Sequence, residues 1–242
     1  MSTLPNPYQR PVPLEYGTSA EAGVIAGFFN SVYAWMAAGL ALTASVAWWT
    51  STQPQLLARL YGRGPMIMMI VAELALVWTI SSAIRRIGPV VATVLFMLYA
   101  ALNGLTLSVI LLVYTHALIA SAFIVTAGTF AATSVYGFVT KRDLTSLGAF
   151  LFMGLIGIII ASVVSFFWHP TWLTVAINYL GVFIFIGLTA YDTQRLKAIA
   201  LQTANDGTLA ARLSITGALM LYLDFLNLFL FILQILGSDR RR

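Results

Sequence analysis

The chain has 242 residues, of which 60% are hydrophobic and only 9% are charged, and its mean hydropathy is +0.90. Soluble domains are about one-quarter charged, so this composition leaves too few polar groups to cover a water-facing surface. The net charge of +5 fits basic loops beside a membrane and not nucleic-acid binding, and the absence of cysteine excludes disulfides and thiolate sites.

The elements predicted in chain order are a tail, a membrane domain and a second short tail. Residues 1–23 are polar and contain several prolines, so we expect a flexible N-terminal tail with no cleavable signal peptide. Residues 24–236 are expected to form an all-α transmembrane domain, because each apolar segment is long enough to cross about 30 Å of hydrocarbon as a helix. The seven predicted spans are 24–49, 65–84, 88–113, 118–139, 147–167, 173–196 and 215–236. Residues 237–242 are expected to form a short basic C-terminal tail.

The loop charges predict the orientation of the chain. The connections at 82–87 and 140–146 contain Lys or Arg, whereas those at 115–117 and 168–172 contain neither. Because basic loops favour the cytoplasmic side, we expect a cytoplasmic N-terminus. Seven spans then place the C-terminus outside. The arginines at 240–242 conflict with that placement, and a cytoplasmic C-terminus would require a re-entrant last segment or one fewer span.

Three acidic residues fall inside predicted spans. Glu73 is near the middle of the second span, Asp192 is about one turn from the cytoplasmic end of the sixth, and Asp224 is about halfway along the seventh. Charges at such depths are costly, so intramembrane acids usually face a bundle interior and carry a function. The alternative is a neutral carboxylic acid that only stabilises the bundle through hydrogen bonds.

Polar residues extend these positions into stripes. Asn227 follows Asp224 by three residues and therefore shares its helix face, Asn178 lies on the side of Asp192, and Asn103 marks a stripe in the third span. Inward-facing stripes would form a polar interior in which carboxylate oxygens, including those of Asp192 and Asp224, could bind a hard cation such as calcium. The alternative is that the stripes only join helices by hydrogen bonds.

An enzymatic function is not expected. The two histidines, His116 and His169, are predicted to lie in short outer loops, away from any nucleophile inside the bundle. No His-Glu-x-x-His motif is present, and no lysine lies inside a span where it could form a Schiff base.

Four segments resemble the Bax inhibitor-1 family, also called transmembrane Bax inhibitor motif proteins, most closely its bacterial branch. The most specific are residues 187–197 (GLTAYDTQRLK) and 221–229 (LYLDFLNLF), each of which contains one of the aspartates. Residues 134–148, which include Tyr136, Gly137 and Lys141-Arg142-Asp143-Leu144, and residues 103–108 (NGLTLS) fit as well. The resemblance extends over nearly all of the chain after the tail.

The resemblance implies a fold and an activity. The expected fold is two groups of three helices around a central C-terminal helix, and the expected activity is a pH-sensitive calcium leak. Asp192 and Asp224 would form a hydrogen-bonded pair that senses pH and latches the cytoplasmic side. Glu73 would lie in the pore, and Arg85 or Arg86 would offer an alternative partner to one aspartate. The connection at 198–213 looks longer than in compact members of the family.

The remaining expectations concern partners and location. We expect no resident cofactor, calcium and protons as the transported or transiently bound species, and a bacterial inner membrane as the location. The alternative function is that of an interaction protein, which would regulate a membrane protease or the stress or cell-death machinery. Calcium flux through the purified protein would separate the two functions.

Overall fold

A computed structural model describes residues 15–83, 87–168 and 170–239, and it contains only helices in those ranges. The helices are α1 (Glu15–Ser51), α2 (Pro54–Leu60), α3 (Arg63–Ala83), α4 (Pro89–Leu107), α5 (Ile110–Val113), α6 (His116–Val139), α7 (Thr145–Trp168), α8 (Thr171–Gln202) and α9 (Gly207–Asp239). Continuous apolar sequence explains this outcome, because only helices satisfy every backbone polar group within the segment itself.

The described chain has six or seven helical segments that could cross a membrane, depending on how one bent pair is counted. Six helical segments of the described chain are long and apolar enough to cross a membrane, one of which joins α4 and α5. The bent pair α2 and α3, which meet at 76°, provides a seventh span if it is counted as one. The structure thus confirms an all-α polytopic fold and makes the seven-span count plausible.

Several helices extend beyond their predicted apolar spans. α1 already begins at Glu15, within the predicted tail, and His116 is the first residue of α6 and not a loop residue. Much of the connection expected at 198–213 is helical, because α8 continues to Gln202 and α9 begins at Gly207. Hydropathy detects only the apolar part of a helix. Good helix formers such as Ala, Leu, Gln and Arg can extend the helix beyond that part, into more polar surroundings.

The third predicted span is broken between α4 and α5, and Tyr61 holds the break. Its hydroxyl accepts a hydrogen bond from the Val109 N–H at 3.0 Å and lies 3.0 Å from the Thr106 carbonyl oxygen and from Ser108 Oγ. Backbone groups that lose their hydrogen-bond partners within a helix need other partners when their surroundings are apolar. Tyr61, at the end of α2, supplies them.

The helices pack as two groups around α9. α1, α3 and α4 form one group, in which α4 contacts the other two, and α6, α7 and α8 form the other, in which α8 contacts the other two. α9 packs against α1, α4, α6 and α8. Half of the residues in its most apolar segment (50%) are buried, compared with 17% in the corresponding segment of α7. The predicted central position of the last helix is therefore confirmed.

Glycines allow the closest helix crossings. A Cβ atom on Gly104 of α4 would lie 2.7 Å from the Thr43 carbonyl oxygen and 2.7 Å from the Val46 Cβ atom of α1. A Cβ atom on Gly137 of α6 would collide with the backbone of Ala190 on α8. Small residues let backbones approach in this way in membrane bundles, where dispersion forces provide much of the attraction between helices.

Candidate functional site

The two aspartates of the paired motifs meet between α8 and α9. The side chains of Asp192 and Asp224 are hydrogen-bonded to each other, and Asp224 is only 4% exposed. An ionised carboxylate only accepts hydrogen bonds, so a bond between two carboxyl groups requires a proton on one of them. Two carboxyl groups in contact in this way are suited to sharing one proton.

Both aspartates lie deep within their helices. Asp224 is near the middle of α9, as predicted. Asp192 was expected about one turn from the end of its helix, but α8 continues to Gln202, roughly 15 Å further along the axis. The Oδ2 atom of Asp224 is buried and accepts no hydrogen bond from an N–H group or a hydroxyl group of the described residues.

The aspartate pair borders a large cavity. This cavity has a volume of about 1220 Å³ and lies between α7, α8 and α9, with Asp192, Asp224 and Asn227 in its lining. Asn227 shares the face of Asp224 and donates from Nδ2 to the Leu223 carbonyl oxygen of its own helix at 2.8 Å. The Asn227 amide nitrogen is thus satisfied within its own helix.

Arg195 is a neighbour of the pair that the sequence analysis did not single out. It follows Asp192 by three residues on α8, exerts an electrostatic attraction on it, and lines the same cavity. Its position three residues after Asp192 in the first aspartate motif could have predicted this proximity, because residues three apart share a helix face. The predicted partners Arg85 and Arg86 lie outside the described residues.

Glu73 belongs to a second polar cluster. Its Oε1 accepts a hydrogen bond from Thr106 Oγ1 at 2.6 Å, which joins α3 to α4. The buried Tyr222 of α9 lies within electrostatic range of Glu73, and its hydroxyl is 2.7 Å from Thr43 Oγ1 of α1. Asn103 is buried on α4, three residues before Thr106, and its Nδ2 has no hydrogen-bond partner in the described ranges.

The two clusters face different sides of α9. Tyr222 and Asp224 are two positions apart, which rotates their side chains by roughly 200° around the helix axis. Asn178 is buried on the same face of α8 as Asp192, but it lies roughly 21 Å from Asp192 along the helix axis. The structure therefore brings the aspartates and Asn227 together, places Glu73 and Asn103 around a separate centre, and leaves Asn178 apart from both.

Comparison with known proteins assigns the chain to a family. The family described as "Inhibitor of apoptosis-promoting Bax1" matches residues 25–241, which is nearly all of the chain. The chain belongs to the Bax inhibitor-1 family. This membership confirms the resemblance seen in the two aspartate motifs, and it agrees with the observed arrangement of helices.

Bacterial members of the Bax inhibitor-1 family are close relatives. Inner membrane protein YbhL of Escherichia coli strain K12 is 50% identical over 215 residues, which cover 88% of this chain and 92% of that protein. An uncharacterized protein of Deinococcus radiodurans is 46% identical over 213 residues, covering 88% and 90%. Another, from Borreliella burgdorferi, is 43% identical over 214 residues, covering 88% and 92%. The first relative's name agrees with the predicted bacterial inner membrane.

Further polar links tie α6 and its loop to α8 in this Bax inhibitor-1 family member. Ser134 Oγ of α6 is 2.9 Å from Thr193 Oγ1 of α8 and also contacts the Tyr33 hydroxyl of α1. Gln194 donates to the Arg142 carbonyl oxygen at 2.8 Å and accepts from the Leu144 N–H at 2.9 Å. Apart from Tyr33, these residues lie in the family motifs of the sequence analysis, which did not predict their pairing.

The aspartate pair is a poor resident metal site. Within the ranges that the structure describes, no group of three or more His, Asp or Glu side chains is arranged to hold a metal ion. Calcium takes six to eight oxygen ligands, more than two carboxyl groups supply. The donor set thus suits, at most, a cation that passes or binds transiently with much of its water.

Proposed function

We propose that this protein is a pH-sensitive calcium leak channel of the bacterial inner membrane, gated by the Asp192 and Asp224 pair. The observation that carries the proposal is the buried hydrogen bond between these two side chains, which joins α8 to the central helix α9. A carboxyl pair that shares a proton is a proton-sensitive link between two helices. Family membership and the predicted calcium leak of the family support the same function.

The gate follows from the charge of the pair. With the shared proton present, the pair carries one negative charge and bridges α8 and α9, which keeps the channel closed. When the proton leaves, two negative charges face each other in an environment of low dielectric constant, so the bridge is lost and the charges repel. Leak then rises with pH. Arg85 or Arg86 would stabilise one ionised aspartate in the open state.

Calcium is the cargo in this proposal, and the second polar cluster attracts it. Glu73 lies near the middle of α3, where a carboxylate would lower the barrier for an entering cation. Asn103, which is buried on α4 three residues before the Glu73 partner Thr106, would offer an amide oxygen beside this cluster, and Asn227 would offer one beside the aspartates. Glu73→Gln should reduce calcium flux at every pH without changing the shape of the pH profile, because it removes charge but not the gate.

Calcium flux from proteoliposomes across a pH series tests the gate. The set comprises the wild type, Asp192→Asn, Asp224→Asn and the double variant, with Glu21→Gln as a control that removes an exposed acid of α1. Each single aspartate variant should flatten the pH response, because an amide neither ionises nor shares a proton. The double variant should resemble the singles, since the two residues act as one unit.

Two results would count against the proposal. Single variants that keep the wild-type pH profile would show that the aspartate pair is not the sensor. A folded wild-type protein that passes no calcium on its own would favour the alternative function, the regulation of a membrane protease or of stress or cell-death machinery.

We also propose that the N-terminus is cytoplasmic and the C-terminus external. The basic connections at 82–87 and 140–146 support this orientation. A reporter that is active only in the cytoplasm, fused after Arg242, should be inactive. Activity of that reporter would reject the orientation or the seventh span.

A further inference from the structure

The connection between α6 and α7 is fastened to α8. The Gln194 side chain donates a hydrogen bond to the Arg142 carbonyl oxygen at 2.8 Å. Three residues further along α8, Lys197 donates from Nζ to the Phe138 carbonyl oxygen at 2.9 Å. These bonds hold the connection beside the turn of α8 that contains Arg195. Because the connection joins two helices long enough to span the membrane, this turn lies at the level of the lipid headgroups.

The fastened connection brings several cations to the same end of the bundle. Lys141, Arg142 and Arg195 are exposed, and we call these three residues the basic rim. Arg195 attracts Asp192 without a hydrogen bond to it, and within the described ranges no side chain of the basic rim forms a hydrogen bond or an ion pair. The acid of the connection, Asp143, already accepts a hydrogen bond from the first N–H of α7 at 2.9 Å. The basic rim is therefore free to bind an anionic group.

An apolar groove begins at the basic rim. It is the cavity between α7, α8 and α9, and Arg195 and Thr145 line its end. From there the lining continues to Leu155 on α7 and to Phe185 on α8, each ten residues away or roughly 15 Å along its helix. This distance is about half of a hydrocarbon core that is about 30 Å thick, and so it matches one leaflet. The flank of the groove is open to the membrane, because Phe152 in its lining is 58% exposed.

We propose that this groove binds one anionic phospholipid of the bilayer. Arg195 donates hydrogen bonds to the lipid phosphate, the other two cations of the basic rim attract the headgroup, and an acyl chain lies along the groove as far as Leu155. Charge complementarity selects this occupant, because unpaired cations disfavour a cationic ligand and a neutral lipid gains only the apolar contacts. The binding does not depend on whether the protein conducts calcium.

Native mass spectrometry of the purified protein in detergent tests the site. The probes are dioleoylphosphatidylglycerol and dioleoylphosphatidylcholine, which share their acyl chains and their phosphate but differ in net charge. The wild type should bind one phosphatidylglycerol about tenfold more tightly than phosphatidylcholine, the gain expected of one hydrogen bond to a charged group. Arg195→Gln should lose this preference and keep its affinity for phosphatidylcholine, which also shows that the groove is folded. Arg195→Lys retains the charge and should keep most of the preference.

Matched variants locate the headgroup and the acyl chain. Arg59→Gln removes an exposed arginine of α2, at the opposite end of the bundle, and should keep the full preference. Ala149→Trp fills the groove near the basic rim and should weaken the binding of both lipids, whereas Ser162→Trp, in the far half of the groove, should weaken neither.

Three results would overturn the proposal. The first is equal affinity of the wild type for the two lipids, and the second is an unchanged preference in Arg195→Gln. The third is an equal loss of preference in Arg59→Gln and Arg195→Gln, which would show that the net charge of the protein, and not the basic rim, attracts phosphatidylglycerol.

Discussion

The crossing of α1 and α4 provides a quantitative test of the packing. Gly104→Ala places a Cβ atom 2.7 Å from the Thr43 carbonyl oxygen and 2.7 Å from the Val46 Cβ atom, whereas ordinary contact begins at 3.4 Å. The helices must therefore separate by about 0.7 Å at this point (3.4 − 2.7), and one of the obstacles is backbone that cannot rotate away. Thr43 would move with its helix, although its hydroxyl bonds Tyr222 at 2.7 Å.

The expected cost of Gly104→Ala is that of overpacking a core, about 1–3 kcal/mol. For a chain of this size, each kcal/mol lowers the unfolding midpoint by about 2–4 °C, so the predicted decrease is roughly 2–12 °C. The assay is thermal unfolding of the purified protein in detergent, followed by the fluorescence of its six tryptophans.

Gly128→Ala and Gly157→Ala are the matched controls, because a Cβ atom at either helical glycine would meet nothing within 4 Å. Both should leave the midpoint unchanged or raise it slightly, since alanine is the better helix former. If Gly104→Ala unfolds at the same temperature as the controls, α1 and α4 do not approach as closely as described, and the position of Thr43 beside Tyr222 loses its basis.

Three further predictions concern the ends and breaks of helices. Tyr61→Phe leaves the Val109 N–H without its partner and should destabilise the protein by about 1–3 kcal/mol, measured by the same thermal assay. Gln194→Ala should accelerate hydrogen exchange at the Leu144 amide, while Gln202→Ala, at the end of the same helix, should not. Asp143 accepts a hydrogen bond from the Thr145 N–H at 2.9 Å, and its bonds with Thr145 hold the pKa of that carboxyl below its usual value. Its stabilising effect should therefore be present above the unfolded pKa of about 3.9 and disappear as pH falls through the lower folded pKa, a loss that Asp143→Asn should not show in acid unfolding titrations.

The sequence predicts the helices well because hydropathy and membrane thickness restrict the alternatives so strongly. Each predicted span overlaps one long helix or, in the third span, the α4 and α5 pair. The break in that span depends on Tyr61, which is 47 residues from Ser108, and no local pattern reveals such a partner. The extension of α8 to Gln202 also escapes a criterion that detects only apolar segments.

The candidate site is predictable only in part, for a geometric reason. The aspartate motifs identify Asp192 and Asp224 individually, and family resemblance pairs them. Helix spacing assigns residues to faces of one helix, but it does not show which neighbouring helix each face meets. For that reason the sequence analysis placed Glu73 and the asparagines in one pore, whereas the structure arranges Glu73 beside Thr106 and the aspartates on another side of α9.

This division of polar groups restricts how the proposed gate can move. α9 is packed against α1, α4, α6 and α8, and its Tyr222 is fully buried and bonded to Thr43, so shifting α9 would disturb both halves of the bundle. α8 is bound to α6 through Ser134 and Thr193 and packs closely against α7. In the proposed gate, the α6, α7 and α8 group would therefore move away from α9 as a unit, which also requires the contact between Ser134 and the Tyr33 hydroxyl of α1 to break. The cavity between α7 and α9 already interrupts the packing between this group and α9. Fewer contacts are therefore lost if the group moves away from α9 on the side of the cavity.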